Sequence, residues 1–207
     1  LRKTAVFIIY SPLVGLILAF TLFVTISWIV HRIRAKNAVN KTFRGLQLLS
    51  AAAFSLGHGA NDAQKTMGII AALLIGAGKL DASVLDDPEG LPLWIVLSCH
   101  GAIGLGTMFG GWKIVKTMGT KLTRLEPMGG VCAESAAAAT LFFASYNGIP
   151  VSTTHTITGA IVGVGSAKRM SAVRWNIARR VGWAWVLTIP GSALVAMLTY
   201  WVVGVFN

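Results

Sequence analysis

Acidic side chains are scarce in this sequence: seven Asp and Glu among 207 residues, against 18 Lys and Arg. Charged residues of both signs make up only 12%, while 55% are hydrophobic and the mean hydropathy is +0.69. That balance excludes an ordinary soluble domain. The net charge of +11 does not mark a nucleic-acid-binding protein, because the basic residues fall in short segments between long apolar runs rather than across a soluble face. Cysteine is nearly absent. Cys99 and Cys132 sit in separate apolar stretches without the spacing of a disulfide framework or a metal site, and read as small packing residues. Asp62 is the only aspartate within the apolar runs, so an intramembrane aspartyl protease lacks its pair. Ser152 and His155 lie three apart in one motif instead of meeting from different helices, as a serine protease there requires. No catalytic residue, metal site or organic cofactor is expected.

What is present is a succession of runs long enough to cross a bilayer. Residues 5–30 are almost wholly apolar, with Pro12 a candidate kink, and exceed the ~20 residues that a spanning helix needs. Arg2 and Lys3 precede them like the start of a signal peptide, but the run is too long and no small-residue cleavage site follows.

Basic residues cluster at 31–44 (Arg32, Arg34, Lys36, Lys41, Arg44), at 113–124 (Lys113, Lys116, Lys121, Arg124) and at 168–180 (Lys168, Arg169, Arg174, Arg179, Arg180). Residues 79–90 carry Asp81, Asp86, Asp87 and Glu89 against Lys79 alone. The excess of positive charge puts loops 31–44, 112–126 and 166–180 in the cytoplasm. Crossings are then expected at 5–30 inward, 45–78 outward, 91–111 inward and 181–204 outward. Trp28, Trp94, Trp112, Trp183 and Trp201 lie near the ends of these runs, where interfacial aromatics belong.

Residues 127–165 start and end on the cytoplasmic side. Their apolar arms, 129–146 and 151–165, would make helices of only ~27 and ~22 Å. Two short spanning helices or a re-entrant helical hairpin both fit. The tip reads "YNGIPVSTTHT": Asn-Gly and Ile-Pro break a helix, Pro150 suits the start of a new one, and Ser152, Thr153 and Thr154 crowd its first turn. Such a start offers free backbone N–H groups and hydroxyls to an anion, or the hydroxyls simply cap the arm.

The stretch "GHGANDAQKTMG", residues 57–68, poses the sharper problem. Gly57 and Gly59 flank His58 and loosen a helix just where Asn61 and Asp62 appear, as in a discontinuous membrane helix. A carboxylate at that depth costs several kcal/mol unless it is paired or binds a cation. Lys65, three residues on, is one candidate partner. Glu134, in "GGVCAESAAAAT", is a second buried carboxylate with no basic residue within a turn, and needs a partner from elsewhere. The economical expectation is one polar cavity in which Asp62 and Glu134 hold cations while Ser152 to Thr154 hold an anion, each charge offsetting the other's desolvation. His100, beside Cys99, is expected to bond a neighbouring helix, and His31 to be solvated.

"GHGANDAQK" together with "GIPVSTTHT" resembles the inorganic phosphate transporter (PiT) family of cation-coupled phosphate symporters, whose signatures are a GAND-type motif and a P-V-S-T-T-H motif. The resemblance implies phosphate contacts from Asn61, Asp62, Ser152, Thr153 and Thr154, and coupling-cation contacts from Asn61, Asp62, Gln64 and Glu134. His58, Lys65 and His155 flank these as modulators. Family members often read GANDVANA. The Gln-Lys version here is similar to the carboxyl-terminal copy of many bacterial members, and its fixed lysine charge could replace one bound cation.

The resulting expectation is an all-α polytopic membrane protein, one half of an inverted-repeat secondary transporter with discontinuous helices. Residues 1–44 would form a linking helix and basic loop. Residues 45–207 would form the transport repeat, with hairpin 127–165 and a final helix 181–204. The partners implied are inorganic phosphate, free or as a metal complex, a coupling H+ or Na+, the lipid bilayer, an amino-terminal repeat preceding Leu1 with the opposite orientation, and a second copy in a homodimer. The location implied is the bacterial inner membrane. A passive anion channel or a non-transporting membrane subunit is the alternative.

Overall fold

The computed structural model describes residues 2–33, 36–85 and 90–206. Of the loop charges noted above, Arg34, Asp86, Asp87 and Glu89 lie outside the described residues. Among the described residues six long helices carry the fold: α1 (Arg2–Val30), α2 (Lys36–Gly76), α3 (Leu93–Lys116), α4 (Pro127–Tyr146), α5 (Thr153–Lys168) and α6 (Trp175–Phe206). Val6–Val30, Leu93–Trp112, Pro127–Tyr146 and Trp175–Gly204 are each long and apolar enough to cross a membrane. The helices run past the apolar boundaries read from sequence. Lys41 and Arg44 lie within the first turns of α2, and Arg179 and Arg180 in α6, because a run of charges marks where water begins and not where backbone hydrogen bonding stops.

The expected break in the GAND helix is not found. Helix α2 continues unbroken through Gly57 and Gly59 for 41 residues, ~60 Å of helix. Gly57 serves contact instead: a Cβ there would sit 3.4 Å from the Leu141 Cβ of α4. Two glycines cost a helix about 1 kcal/mol each, too little to interrupt one that is packed on both sides of them.

The break comes between α4 and α5. Gly148 takes φ +62°, its N–H bonds the Ser145 carbonyl at 3.0 Å, and the Ile149 N–H reaches back to Ala144 at 2.9 Å. This doubly bonded C-terminal turn requires the left-handed conformation that Asn-Gly sequences supply. Ser152 then caps α5, accepting from the His155 N–H at 3.4 Å.

Two parallel pairings build the core. Helices α2 and α4 share a constant register, since Ser50 meets Glu134 and Asn61 meets Ser145, both at a separation of 84 residues. Helices α1 and α5 pack backbone to backbone: Gly159 lies against the Pro12 carbonyl and Gly163 against that of Leu16, while a Cβ on Gly15 would meet the Thr156 carbonyl oxygen at 2.6 Å. Small residues four apart permit this approach between membrane helices. Helix α1 is therefore part of the bundle and more than the link expected for residues 1–44. Ala133, Ala136, Ala137, Ala160 and Ile161 fill the space between the pairs with Ala19 and Cys132.

Helix α3 covers the far half of α2 through Ala63, Met67, Ile95 and Cys99. Both cysteines are free and buried. The α3–α4 and α5–α6 links are tied together: Thr123 and Val173 form an isolated bridge, Arg174 N–H donates to Leu122 at 2.9 Å, and Lys168 pairs with Glu126 at 2.6 Å. Helix α6 touches the core through Ile177 and Ala178 of its first turn, but none of its most apolar window is buried. His100 bonds the Val96 carbonyl of its own helix at 2.9 Å, where a neighbouring helix had been expected.

Candidate functional site

The polar cluster forms where the middle of α2 meets the start of α5. Asp62 is its centre. One carboxylate oxygen, Oδ1, accepts from Lys65 Nζ at 2.9 Å, and the other, Oδ2, faces His58 Nε2 at 3.0 Å and accepts from the Thr153 hydroxyl at 3.2 Å. His58, Asp62 and Lys65 share one helix face because they are spaced by four and three residues. Lys65 Nζ also donates to the Val151 carbonyl at 2.6 Å, so the lysine ties α2 to the hairpin tip. Beside them Asn61, only 3% exposed, donates to Ser145 Oγ at 3.2 Å. Its own Oδ1 is buried without a partner among the described residues.

The start of α5 provides the complementary charge. The N–H groups of the first turn have no partner within the helix, and the Ser152 side chain takes only that of His155. The Thr153 and Thr154 N–H groups remain directed along the axis, at the positive end of the helix dipole. Thr153 is buried with its hydroxyl committed to Asp62, whereas the Thr154 side chain is exposed. Gln64 is exposed too, on a different face of α2 from Asp62.

Glu134 is not part of this cluster. Its Oε2 accepts from Ser50 Oγ at 2.6 Å, and Gln47 bonds the same carboxylate. Ser50 is twelve residues before Asp62 on the continuous helix α2, ~18 Å along the axis. The single cavity expected to join Asp62 and Glu134 is thus not formed within the described residues. A cavity of about 570 Å³ does open between the ends of α1, α2 and α4, lined by Ser27, His31, Asn40 and Glu126 among others. It lies near Met128, about 25 Å along α4 from Ser145.

Several partners carry no separate signal in the sequence. Ser145 and Ser50 become visible only through the constant α2–α4 register. Trp185 of α6 stacks on the His155 ring with centroids 3.9 Å apart. That ring also approaches the Ile8 backbone carbonyl, which loses its usual helical donor because Pro12 has no N–H. The proline in α1 therefore leaves a free carbonyl beside the histidine of the tip.

The geometry is that of a small polar island in an apolar bundle, with a carboxylate, an ammonium group and a helix start in contact. A carboxylate and unwound carbonyls suit a cation, and a helix start suits an anion. Residues 1–196 match the family model described as "Phosphate transporter family". The chain belongs to the phosphate transporter family. Members similar to it include a "Probable low-affinity inorganic phosphate transporter" of Rhizobium meliloti (strain 1021), 54% identical over 97% of this chain and 58% of that protein. A Bacillus subtilis (strain 168) protein of the same description is 41% identical over 94% of this chain and 57% of its own length. Among solved structures, "The sodium-dependent phosphate transporter" superposes with a TM-score of 0.72 at 25% identity, covering 99% of this chain and 57% of that one. The chain spans a little more than half the length of these family members. All-helical architecture and membrane-crossing helices are accordingly family features, and phosphate is what the family transports.

Proposed function

We propose that this chain is the carboxyl-terminal half of a cation-coupled inorganic phosphate symporter, moving phosphate with H+ or Na+ by alternating access. The observation that carries this reading is the contact between the Asp62–Lys65 pair and the start of α5 through Thr153 and the Val151 carbonyl. It joins a group that attracts cations to one that attracts anions, which a symporter needs and a passive anion channel does not, since a carboxylate repels the anion. In this reading phosphate, free or as a metal complex, lies at the Thr153 and Thr154 N–H groups with Asn61 beside it. Asp62 holds positive charge against that anion, while His58 and His155 orient the two motifs. Gln64, Thr154 and the far part of helix α6 from Val186 to Gly204, exposed here, then face an amino-terminal repeat of opposite orientation, lipid or a second copy.

Two features support a re-entrant hairpin. The tip contacts α2 at Asp62 and Lys65, yet α2 continues for eleven residues to Gly76, ~16 Å further. That extension is apolar and packs with α3 through Ile70 and Leu74, so the apolar layer extends past the tip. The proposed setting is the bacterial inner membrane, with loops 31–44, 112–126 and 166–180 cytoplasmic.

The test is uptake of labelled phosphate into vesicles carrying the full-length protein, with sodium and pH gradients imposed separately. Counterflow that collapses when one cation gradient is removed is the expected result, and residues 1–207 alone should give none. Uptake indifferent to both gradients would favour the channel, and robust coupled uptake by residues 1–207 would refute the half-site reading. Thr154→Ala offers a second check. Its hydroxyl supports no packing seen here, so binding of phosphate should weaken by roughly 10- to 100-fold, the worth of one hydrogen bond to a charged group. Thermal stability should barely change. Unaltered phosphate affinity would remove Thr154 from the site.

A further inference from the structure

We infer that the Lys65 ammonium group is a tethered cation, occupying in this half of the site the position that a mobile coupling ion would otherwise take beside Asp62. The inference rests on the symport reading above and names what fills the Asp62 side of that site.

Nζ lies 2.9 Å from Asp62 Oδ1 and 2.6 Å from the Val151 carbonyl oxygen. A carboxylate oxygen and a carbonyl freed where a helix is interrupted are the ligands that membrane transporters offer to sodium. The Thr153 hydroxyl and His58 Nε2 converge on the other carboxylate oxygen. Every oxygen of Asp62 therefore already faces a donor. Glu134, the other buried carboxylate, is spoken for by Ser50 three turns away. The cluster thus holds one negative charge and one fixed positive charge, and a further cation would find no free carboxylate oxygen.

The stem of Lys65 is long enough to leave α2 and end at the hairpin tip, in the way that lysines carry a charged head past apolar surface. A tethered ion differs from a bound one in two respects. It costs no translational freedom to recruit, so its occupancy does not depend on ion concentration. It also cannot leave, so it takes no part in the stoichiometry of coupling. Any coupling ion must then bind elsewhere in the full-length protein.

The experiment compares the purified full-length protein with Lys65→Gln and Lys65→Arg, measuring binding of radioactive sodium at equilibrium and uptake of labelled phosphate in vesicles across a sodium series. Expected for Lys65→Gln is one additional saturable sodium per chain. Its phosphate uptake should fall at least tenfold at low sodium and recover as that site fills. Lys65→Arg keeps the charge and should gain no sodium. Adding Asp62→Asn to Lys65→Gln should remove the gained site.

No extra sodium in Lys65→Gln, with uptake either unchanged or lost at every sodium concentration, would overturn the inference and leave an ordinary structural ion pair. Where Lys65→Gln does not yield monodisperse protein, Lys65→Met keeps the length of the stem. Failure of both variants to fold in high sodium counts against the inference as well. Absence of phosphate uptake by the wild-type protein, by contrast, would refute the symport reading itself, and sodium binding would still report on Lys65.

Discussion

Replacing Asp62 by asparagine in the full-length protein is expected to abolish net phosphate uptake, by about 100-fold or more, while the variant still inserts and folds. Asparagine preserves the shape of the side chain and one carbonyl oxygen, so Thr153 or Lys65 keeps an acceptor. What disappears is the charge. Removing one partner of a fully buried ion pair costs about 3 to 5 kcal/mol, but here Asp62 and Lys65 are 32% and 38% exposed. Screening therefore reduces the cost to about 1 kcal/mol, a loss most folded domains tolerate. Transport has no such margin. An unneutralised ammonium group beside the start of α5 would hold phosphate in place, and a carrier that cannot release its substrate does not turn over. A roughly 100-fold change corresponds to about 2.7 kcal/mol, and it comes from a different interaction, the attraction between the freed ammonium group and a bound phosphate that displaces the screening water, about 4 kcal/mol per unit charge at ~4 Å in a partly desolvated site. The measurement is paired: phosphate binding to purified protein should survive, and vesicle uptake should vanish. Normal uptake would remove Asp62 from the transport machinery, and failure to insert would show its role to be structural.

Much of this arrangement is legible in the sequence because the bilayer imposes simple rules. Apolar length gives α1, α3 and α6. Asn147-Gly148 and Pro150 mark the one place where the hairpin must turn, since a positive φ and a missing N–H are local properties. The pairing of Asp62 with Lys65 is local as well, three residues apart on one helix face.

What escaped the sequence depends on register between helices. Glu134 advertises the need for a partner, yet nothing near it distinguishes Ser50 from any other hydroxyl. Only the constant offset between α2 and α4 selects it, and the same offset moves Glu134 away from Asp62. Gly57 and Gly59 look like a weak point in a helix, because a sequence shows the missing side chains and not the α4 surface against which Gly57 rests. Thr153 and Thr154 are adjacent and chemically alike. One faces Asp62 and the other is exposed, a difference fixed by the 100° between successive helical residues once α5 is docked on α1.

That docking is the basis of the second large effect: Gly159→Leu should prevent α1 and α5 from closing and eliminate properly folded protein. A Cβ at Gly159 would fall inside contact distance of the Pro12 carbonyl, and one at Gly163 would do the same with Leu16. Both obstacles are backbone, which cannot rotate away as a side chain can. Overpacking of a close core typically costs 1 to 3 kcal/mol, and a backbone clash with a branched side chain lies at or beyond the upper end of that range. The consequence extends past α1. The Ile8 carbonyl, the His155 ring and Trp185 form a line from α1 through α5 to α6, so separating the first pair removes the support under the tip that carries Thr153 and Thr154. Gly159→Ala tests the same contact with the smallest possible addition, and should lower the thermal midpoint by several degrees. Gly101→Ala, where a Cβ meets nothing within 4 Å, should be neutral or slightly stabilising through the helix preference for alanine. Equal midpoints for the Gly159 and Gly101 alanine variants in detergent would mean that the two helices do not approach as closely as described, and the role of α1 would revert to that of a linker.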